Sequence, residues 1–425
     1  MAPANVNRTS GWRSYEIYQR MRVEETTAKI RPRELTSDAY LADPYSLVGI
    51  LRENYPCYRD WPGNAFWITR YDDVTSVFVD DANFGSRSRL EVYGRHGWGT
   101  DLGSEVAALT CCAEQFDRAV GPVVTMLIDE VRAAGCADVA LDVAARLPLE
   151  LLVRAVGIPD HDTATFVERY LRMQRGCGWE PIARADGLLA MDELAAYFDA
   201  QITGRRGVDD NQLVATIASC GGSGRDIAVT LLESDHQTLH GAVANLWFLL
   251  LTHPEQLDAV RAKTRLVRFA YLEALRHSPS VLSADRFARH EVERFGRLLP
   301  EGALVRCSAA AANRDPRVFA TPDAFVVERR DLCQREPRGM YRADGLPSGI
   351  SFGTGAPSRH PAVPVDRPRS RYAITRDLAV NVSLALLDAF PHIRLDATAT
   401  RDRPPVLRSL RLGEMHTCWR LPVTW

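Results

Sequence analysis

The residue types that can do chemistry gather in the middle of this sequence. Thr230, Glu233, Ser234, Gln237 and Thr238 recur at helical spacing, which places them on one face at 3.6 residues per turn. A carboxylate beside hydroxyls and an amide can exchange a proton with a bound molecule and hold it in one orientation. Glu233 is therefore the expected acid/base. Asp235, two residues on and directed elsewhere on the helix surface, is expected in support. His236 and His240 have the i, i+4 spacing of a zinc pair. Gln237 stands where such motifs carry a glutamate, and no metal site is read from them.

The element that must carry this face runs from Arg225 to Thr252. It has no proline and one internal glycine, Gly241, and its apolar residues thicken into the run Leu246 to Leu251. The pattern predicts one long, largely buried helix. His253-Pro254 ends it, because proline disfavours helical geometry in the residue before it. A buried helix with a polar face lines a polar cavity or carries a set of satisfied hydrogen bonds, and both readings stand.

Around it, residues 1–38 read as a polar arm with one short helix. Asp43 and Pro44 suit the N-cap and first position of the next helix. Pro62-Gly63-Asn64 reads as the turn of a hairpin whose second strand begins at Ala65. The stretch from Glu91 to Gly103 looks like a loop, and Val106 to Ile202 is helical with short breaks. A second helical run covers Lys263 to His277, and short strands and turns follow to Pro316. A Gly/Pro-rich stretch leads to a last amphipathic helix, Ile374 to Phe390, and a tail suggestive of hairpins. Arg359, Arg367, Arg369 and Arg371 make that Gly/Pro-rich stretch basic: a solvated loop or an anion-binding surface.

The 425 residues carry 52 Lys and Arg against 54 Asp and Glu, a balance that gives no support for a nucleic-acid partner. The nine cysteines form no C-x-x-C pair, which fits reduced thiols in a cytoplasmic protein. No apolar run reaches the ~18 residues of a membrane span, so no membrane association is expected. There is no Walker loop, no nucleotide fingerprint after a strand and no G-x-S-x-G.

Taken in order, several pieces resemble the cytochrome P450 family in its bacterial form, over nearly the whole chain. They are DPYSLVGILRENYP, WITRYDDVTSVFVDDANFGSR, the central helix ending in LTHPEQL, and Glu273-Ala274-Leu275-Arg276. They continue with PEGALVRCSAAAANRDP, FVVER, FGTG at 352–355 and LLDAFPHIRL. The resemblance implies a mainly α fold with a minor β region, one triangular domain from residue 39 to 425. It implies a buried ion-pair triad of Glu273, Arg276 and Arg329, and a propionate-binding arginine at Arg286. The family holds haem iron on a cysteine thiolate that favours O–O cleavage.

Three departures from the family pattern follow. In the ligand loop, FGTGAPSRH puts Arg359 at the cysteine position; alignment from the last helix puts Arg369 there, and no cysteine lies between Cys333 and Cys418. Arginine has no lone pair for iron, while His360, one residue on, can in principle ligate. In the early helix the family's propionate-binding His and Arg align with Ala113 and Asp117, and a carboxylate there would repel a propionate. In the central helix the family's oxygen-pocket glycine is Asp235 and its acid is Gln237, while its alcohol survives as Thr238.

These departures set the expectation of a chain without cofactor that catalyses a non-oxidative reaction. It would be a cyclase, isomerase or dehydratase of bacterial secondary metabolism, acting on a small, largely apolar molecule. Two alternatives stand beside it. One is a non-catalytic partner, similar to the haem-lacking relatives that activate glycosyltransferases in macrolide and anthracycline pathways. The other is a haem-binding monooxygenase with unusual axial ligation, in which Arg286 and His360 would matter.

Overall fold

The computed structural model describes residues 35–94 except 36, 79, 81, 86 and 88, then 102–177, 181–204, 213–234, 236–331, 371–410 and 415–425. Side chains are further left undescribed at 92, 102–113 and 371–373. The architecture is mainly α with a minor β region. The N-terminal arm read at 1–38 lies almost wholly outside the described residues.

Helix α1 (Pro44–Asn54) starts as its sequence dictates, with the Asp43 carboxylate accepting from Tyr45 N and Pro44 in the first turn. Strands β1 (Cys57–Asp60) and β2 (Ala65–Ile68) form an antiparallel hairpin in which Cys57 faces Ile68 and Asp60 faces Ala65. Asn64 takes a left-handed φ of 47° in its turn, a conformation asparagine tolerates better than most residues. Helix α2 (Tyr71–Phe78) follows. Strands β3 (Phe84–Gly85), β4 (Ser283–Ala288) and β5 (Leu304–Ser308) complete a five-stranded sheet in the order β1-β2-β5-β4-β3. Its single parallel pairing joins β2 to β5.

The helices used below are α3 (Leu102–Ala134), α4 (Thr163–Arg175), α5 (Pro181–Gly204), α6 (Gly224–Glu233), α7 (His236–Thr252), α8 (Val267–His277) and α9 (Arg371–Ala389), with others between them, among them Arg146–Val156 and Pro254–Ala262. The loop expected over Glu91–Gly103 is shorter at both ends: Glu91 and Val92 belong to the short helix Arg89–Val92 and α3 begins at Leu102, while residues 95–101 lie outside the described ones. Helix α7 lies in the largest apolar cluster, with Trp247, Leu249 and Leu250 packed among residues of α3, α8 and α9. Trp247 Nε1 donates to Ser383 Oγ of α9 at 3.2 Å. Asn245, one turn from Gly241, is buried, and its amide donates to Ser278 O and His416 O and accepts from Cys418 N. A second cluster joins α4, α5 and α6. Among the described residues, no helix is long and apolar enough to cross a membrane.

The single helix predicted over Arg225–Thr252 is corrected to two. α6 ends at Glu233, Ser234 is non-helical with ψ of 112°, and α7 begins at His236. No glycine or proline stands at the break, so periodicity had no breaker to detect. The side chains bonded to it come from elsewhere in the chain.

Candidate functional site

The break is held from outside by α4 and by the short helix Arg89–Val92. Gln174, on α4 and buried, donates its amide hydrogens to Leu231 O at 2.9 Å, Leu232 O at 3.1 Å and Ser234 O at 3.3 Å. Its own oxygen accepts from Arg89 Nη1, which also donates to Leu232 O at 3.2 Å. Tyr170 Oη donates to Ser234 O at 2.7 Å. The last carbonyls of a helix have no intrahelical donors, and here side chains supply them.

This changes the reading of the predicted polar face. Thr230 and Ser234 turn their hydroxyls back on their own helix, to Asp226 O at 2.9 Å and Leu231 O at 2.7 Å. Such back-bonding is the usual behaviour of hydroxyls on or at the end of a helix. Glu233 is half-buried, and its Oε1 accepts from the backbone N of Arg89 at 3.0 Å. Gln237 is half-buried and Thr238 buried, on the first turn of α7. The break therefore separates Thr230 and Glu233 on one helix, with Ser234 as its cap, from Gln237 and Thr238 on the next. Asp235 lies outside the described residues.

His236 Nδ1 sits 3.2 Å from Tyr170 Oη, whose hydrogen is already directed at Ser234 O, so the ring nitrogen is the donor in that pair. His240 is buried edge-on against Trp419, and burial holds its pKa down to about 4. Gly241 is required by closeness rather than by backbone angle: a Cβ there would lie 2.3 Å from Ser280 Cβ. Between α4 and α5 a similar approach occurs at Gly176, where a Cβ would lie 2.1 Å from Tyr93 Oη.

Sequence reading missed Arg89, Tyr170 and Gln174. Arg89 borders a stretch read as loop, and Gln174 carries no motif; its one signal is a polar residue beside Tyr170 and Met173 on a buried stripe.

The structure brings Glu273, Arg276 and Arg329 together. Arg276 grips Glu273 with Nε on Oε2 at 2.7 Å and Nη2 on Oε1 at 2.8 Å. Arg329 Nε reaches Oε1 at 3.1 Å, and Val326 N donates to the same oxygen at 3.0 Å. The remaining guanidinium hydrogens of Arg276 go to Asn313 O, Pro322 O and Ala324 O. The triad ties α8 to the segment leading to the Gly/Pro-rich stretch.

Arg286 is a buried cation on β4, its guanidinium 4.8 Å from the centroid of the Phe78 ring and its Nη1 on Asp285 O. The neighbouring Asp285 carboxylate is engaged twice by Arg306. A buried guanidinium on an aromatic wall suits a carboxylate partner, so this donor fits a haem propionate. Asp117 is exposed on α3, and the side chain of Ala113 lies outside the described residues. Arg359, His360 and Arg369 also lie outside them.

Among known proteins, the chain is 29% identical over 430 residues to the cytochrome P450 monooxygenase PikC of Streptomyces venezuelae, covering 91% of this chain and 92% of PikC. The solved structure of P450BioI in complex with an acyl carrier protein bearing hexadec-9Z-enoic acid superposes with TM-score 0.71 at 21% identity, over 92% of this chain and 100% of that one. One of the unusual cytochrome P450-like monooxygenases involved in microbial secondary metabolism gives TM-score 0.68 at 19% identity, over 90% and 98% of the two chains. No family model matches the chain.

These relatives correct the expectation of a chain without cofactor. They are cytochromes P450, which bind haem, and they point to haem here as well. They do not show the haem-independent, non-oxidative role, and they accord better with the haem-binding alternative. That expectation had been drawn chiefly from the ligand loop and the early helix, while the buried guanidinium of Arg286 retains the chemistry a propionate needs.

Proposed function

From the cytochrome P450 fold of this chain we propose a haem-binding protein of the monooxygenase type, with an axial ligand other than cysteine, that takes a small and largely apolar molecule of bacterial secondary metabolism. The observation that carries the reading is the correspondence with a P450 monooxygenase across 91% of this chain. Buried Arg286, on the wall of Phe78, is in keeping with it.

Haem supplies the activation of bound oxygen, which no side chain of this protein can perform. Arg286 would hold a propionate through charge-assisted hydrogen bonds. His360 is the proposed axial ligand, since no cysteine lies between Cys333 and Cys418. Thr230 and Ser234 turn back on their own helix, and we assign the polar wall to Glu233 at the end of α6 with Gln237 and Thr238 on the first turn of α7. We assign the proton-handling role to Glu233, the orienting hydrogen bonds to Gln237 and Thr238, and a supporting role to Asp235.

The test is the visible spectrum of the purified protein across the Soret region with an iron assay. A strong Soret band near one iron per chain, lost in His360→Ala, is the expected result. Purification without iron, and no Soret band after haem is supplied, overturns the proposal. A band that survives His360→Ala overturns the ligand assignment alone.

A further inference from the structure

The side chains that hold the central helix apart converge on one residue. In an uninterrupted helix Leu231 O and Leu232 O would accept from the amides four residues on. Here both accept from Gln174 Nε2, and Ser234 O accepts from Gln174 and Tyr170. The last regular bond of α6 reaches only Ser234 N, which donates to Thr230 O at 3.1 Å and shares its hydrogen with Leu231 O at 3.2 Å. Gln174 is buried, and its oxygen is occupied by Arg89 Nη1. Arg89 in turn gives its backbone N–H to Glu233. Both amide hydrogens and the oxygen of one buried side chain are thus directed at the helix end and at the residue that holds Glu233.

We propose that Gln174 is a positioning residue of the site: it keeps α6 and α7 separate and so fixes where Glu233 stands relative to Gln237 and Thr238. Without its donors, Leu232 O retains Arg89 Nη1 at 3.2 Å alone, while Leu231 O keeps the hydroxyl and the backbone N–H of Ser234. A buried carbonyl that loses its better donor is drawn to the nearest replacement, which for Leu232 O is the amide four residues on. Loss of Gln174 therefore drives the two helices towards one continuous helix, which turns Gln237 and Thr238 about the axis relative to Glu233. The polar wall then changes shape although none of its own residues is altered.

The proposal rests on the haem reading only for its second readout. The variants are Gln174→Leu, which removes all four hydrogen bonds, and Gln174→Glu, which keeps a partner for Arg89 and loses only the donors. The first readout is backbone hydrogen exchange across residues 231–240, which needs no haem. Helix closure should slow exchange of the amides after Ser234 by about tenfold or more. The second is the affinity of the haem-loaded protein for 4-phenylimidazole, read from the Soret shift. It should fall about tenfold or more at unchanged haem content, because a displacement near 1 Å carries a penalty of that order or larger. Unchanged or faster exchange overturns the proposal, and so does slower exchange with unchanged affinity. If the protein takes up no haem, exchange alone decides. If Gln174→Leu fails to fold, Gln174→Glu carries both readouts.

Discussion

Arg276 and Glu273, three residues apart on α8, make a two-pronged ion pair with both side chains wholly shielded from solvent. Two charges in a low-dielectric interior are tolerated only when every hydrogen and lone pair is used, and here Arg329, Val326 N and three carbonyls complete the set. Removing one partner leaves the others charged and buried. Glu273→Ala should therefore lower unfolding free energy by about 3–5 kcal/mol, seen as a shift in urea midpoint. A loss under about 1 kcal/mol would mean the pair is not desolvated as described.

Glu233→Gln separates two roles for the carboxylate. As the proton-handling group, its replacement should cut turnover by at least about 10²-fold with little change in melting temperature. As a mere tether for Arg89 N, the amide oxygen of glutamine would keep the hydrogen bond and turnover would hold. Steady-state rates beside a thermal melt distinguish them.

Gly241→Ala tests the crossing of α7 and the segment after α8. The added methyl would meet Ser280 Cβ at 2.3 Å and Ser280 Oγ at 2.9 Å. Overpacking of this kind costs about 1–3 kcal/mol. Ser280→Gly in the same chain should recover most of that loss in a denaturant titration, and absence of recovery would place the strain elsewhere.

Acid sensitivity follows from three buried histidines. Desolvation holds His240 and His416 down to about 4 and His277 to about 3, against 6.5 when free. The unfolded chain binds these protons more readily than the folded one. Stability is complete above pH 6.5 and falls as pH drops towards the folded values, by about 1.4 kcal/mol per unit for each histidine. His416→Asn should flatten the fall between pH 6.5 and 4 by about one proton's worth relative to the parent. Parallel pH profiles for the two proteins would refute the shift at His416.

The elements legible in the sequence are those with local causes. Asp43-Pro44 announces α1, Pro62-Gly63-Asn64 announces the hairpin, and apolar periodicity announces α9. Glu273, Arg276 and Arg329 were legible only through family likeness, since an E-x-x-R spacing by itself is common. The break at Ser234 was not legible at all. Its determinants are Gln174, 60 residues earlier, and Arg89, 143 residues from the carbonyl it serves. A helix prediction weighs neighbours within a few turns, so a terminator acting through tertiary hydrogen bonds escapes it. The same limit explains why Thr230 and Ser234 read as pocket groups: periodicity gives a face, not the partner of each hydroxyl.

The amide of Asn245 has consequences for how this chain is made. Two of its three partners, His416 O and Cys418 N, lie 171 and 173 residues further along the chain. During synthesis they emerge long after α7 itself. Until they do, α7 carries a polar group in its apolar environment with most of its bonds unmade, a state that favours chaperone capture or aggregation over closure. The central helix is therefore settled by a segment made much later than itself.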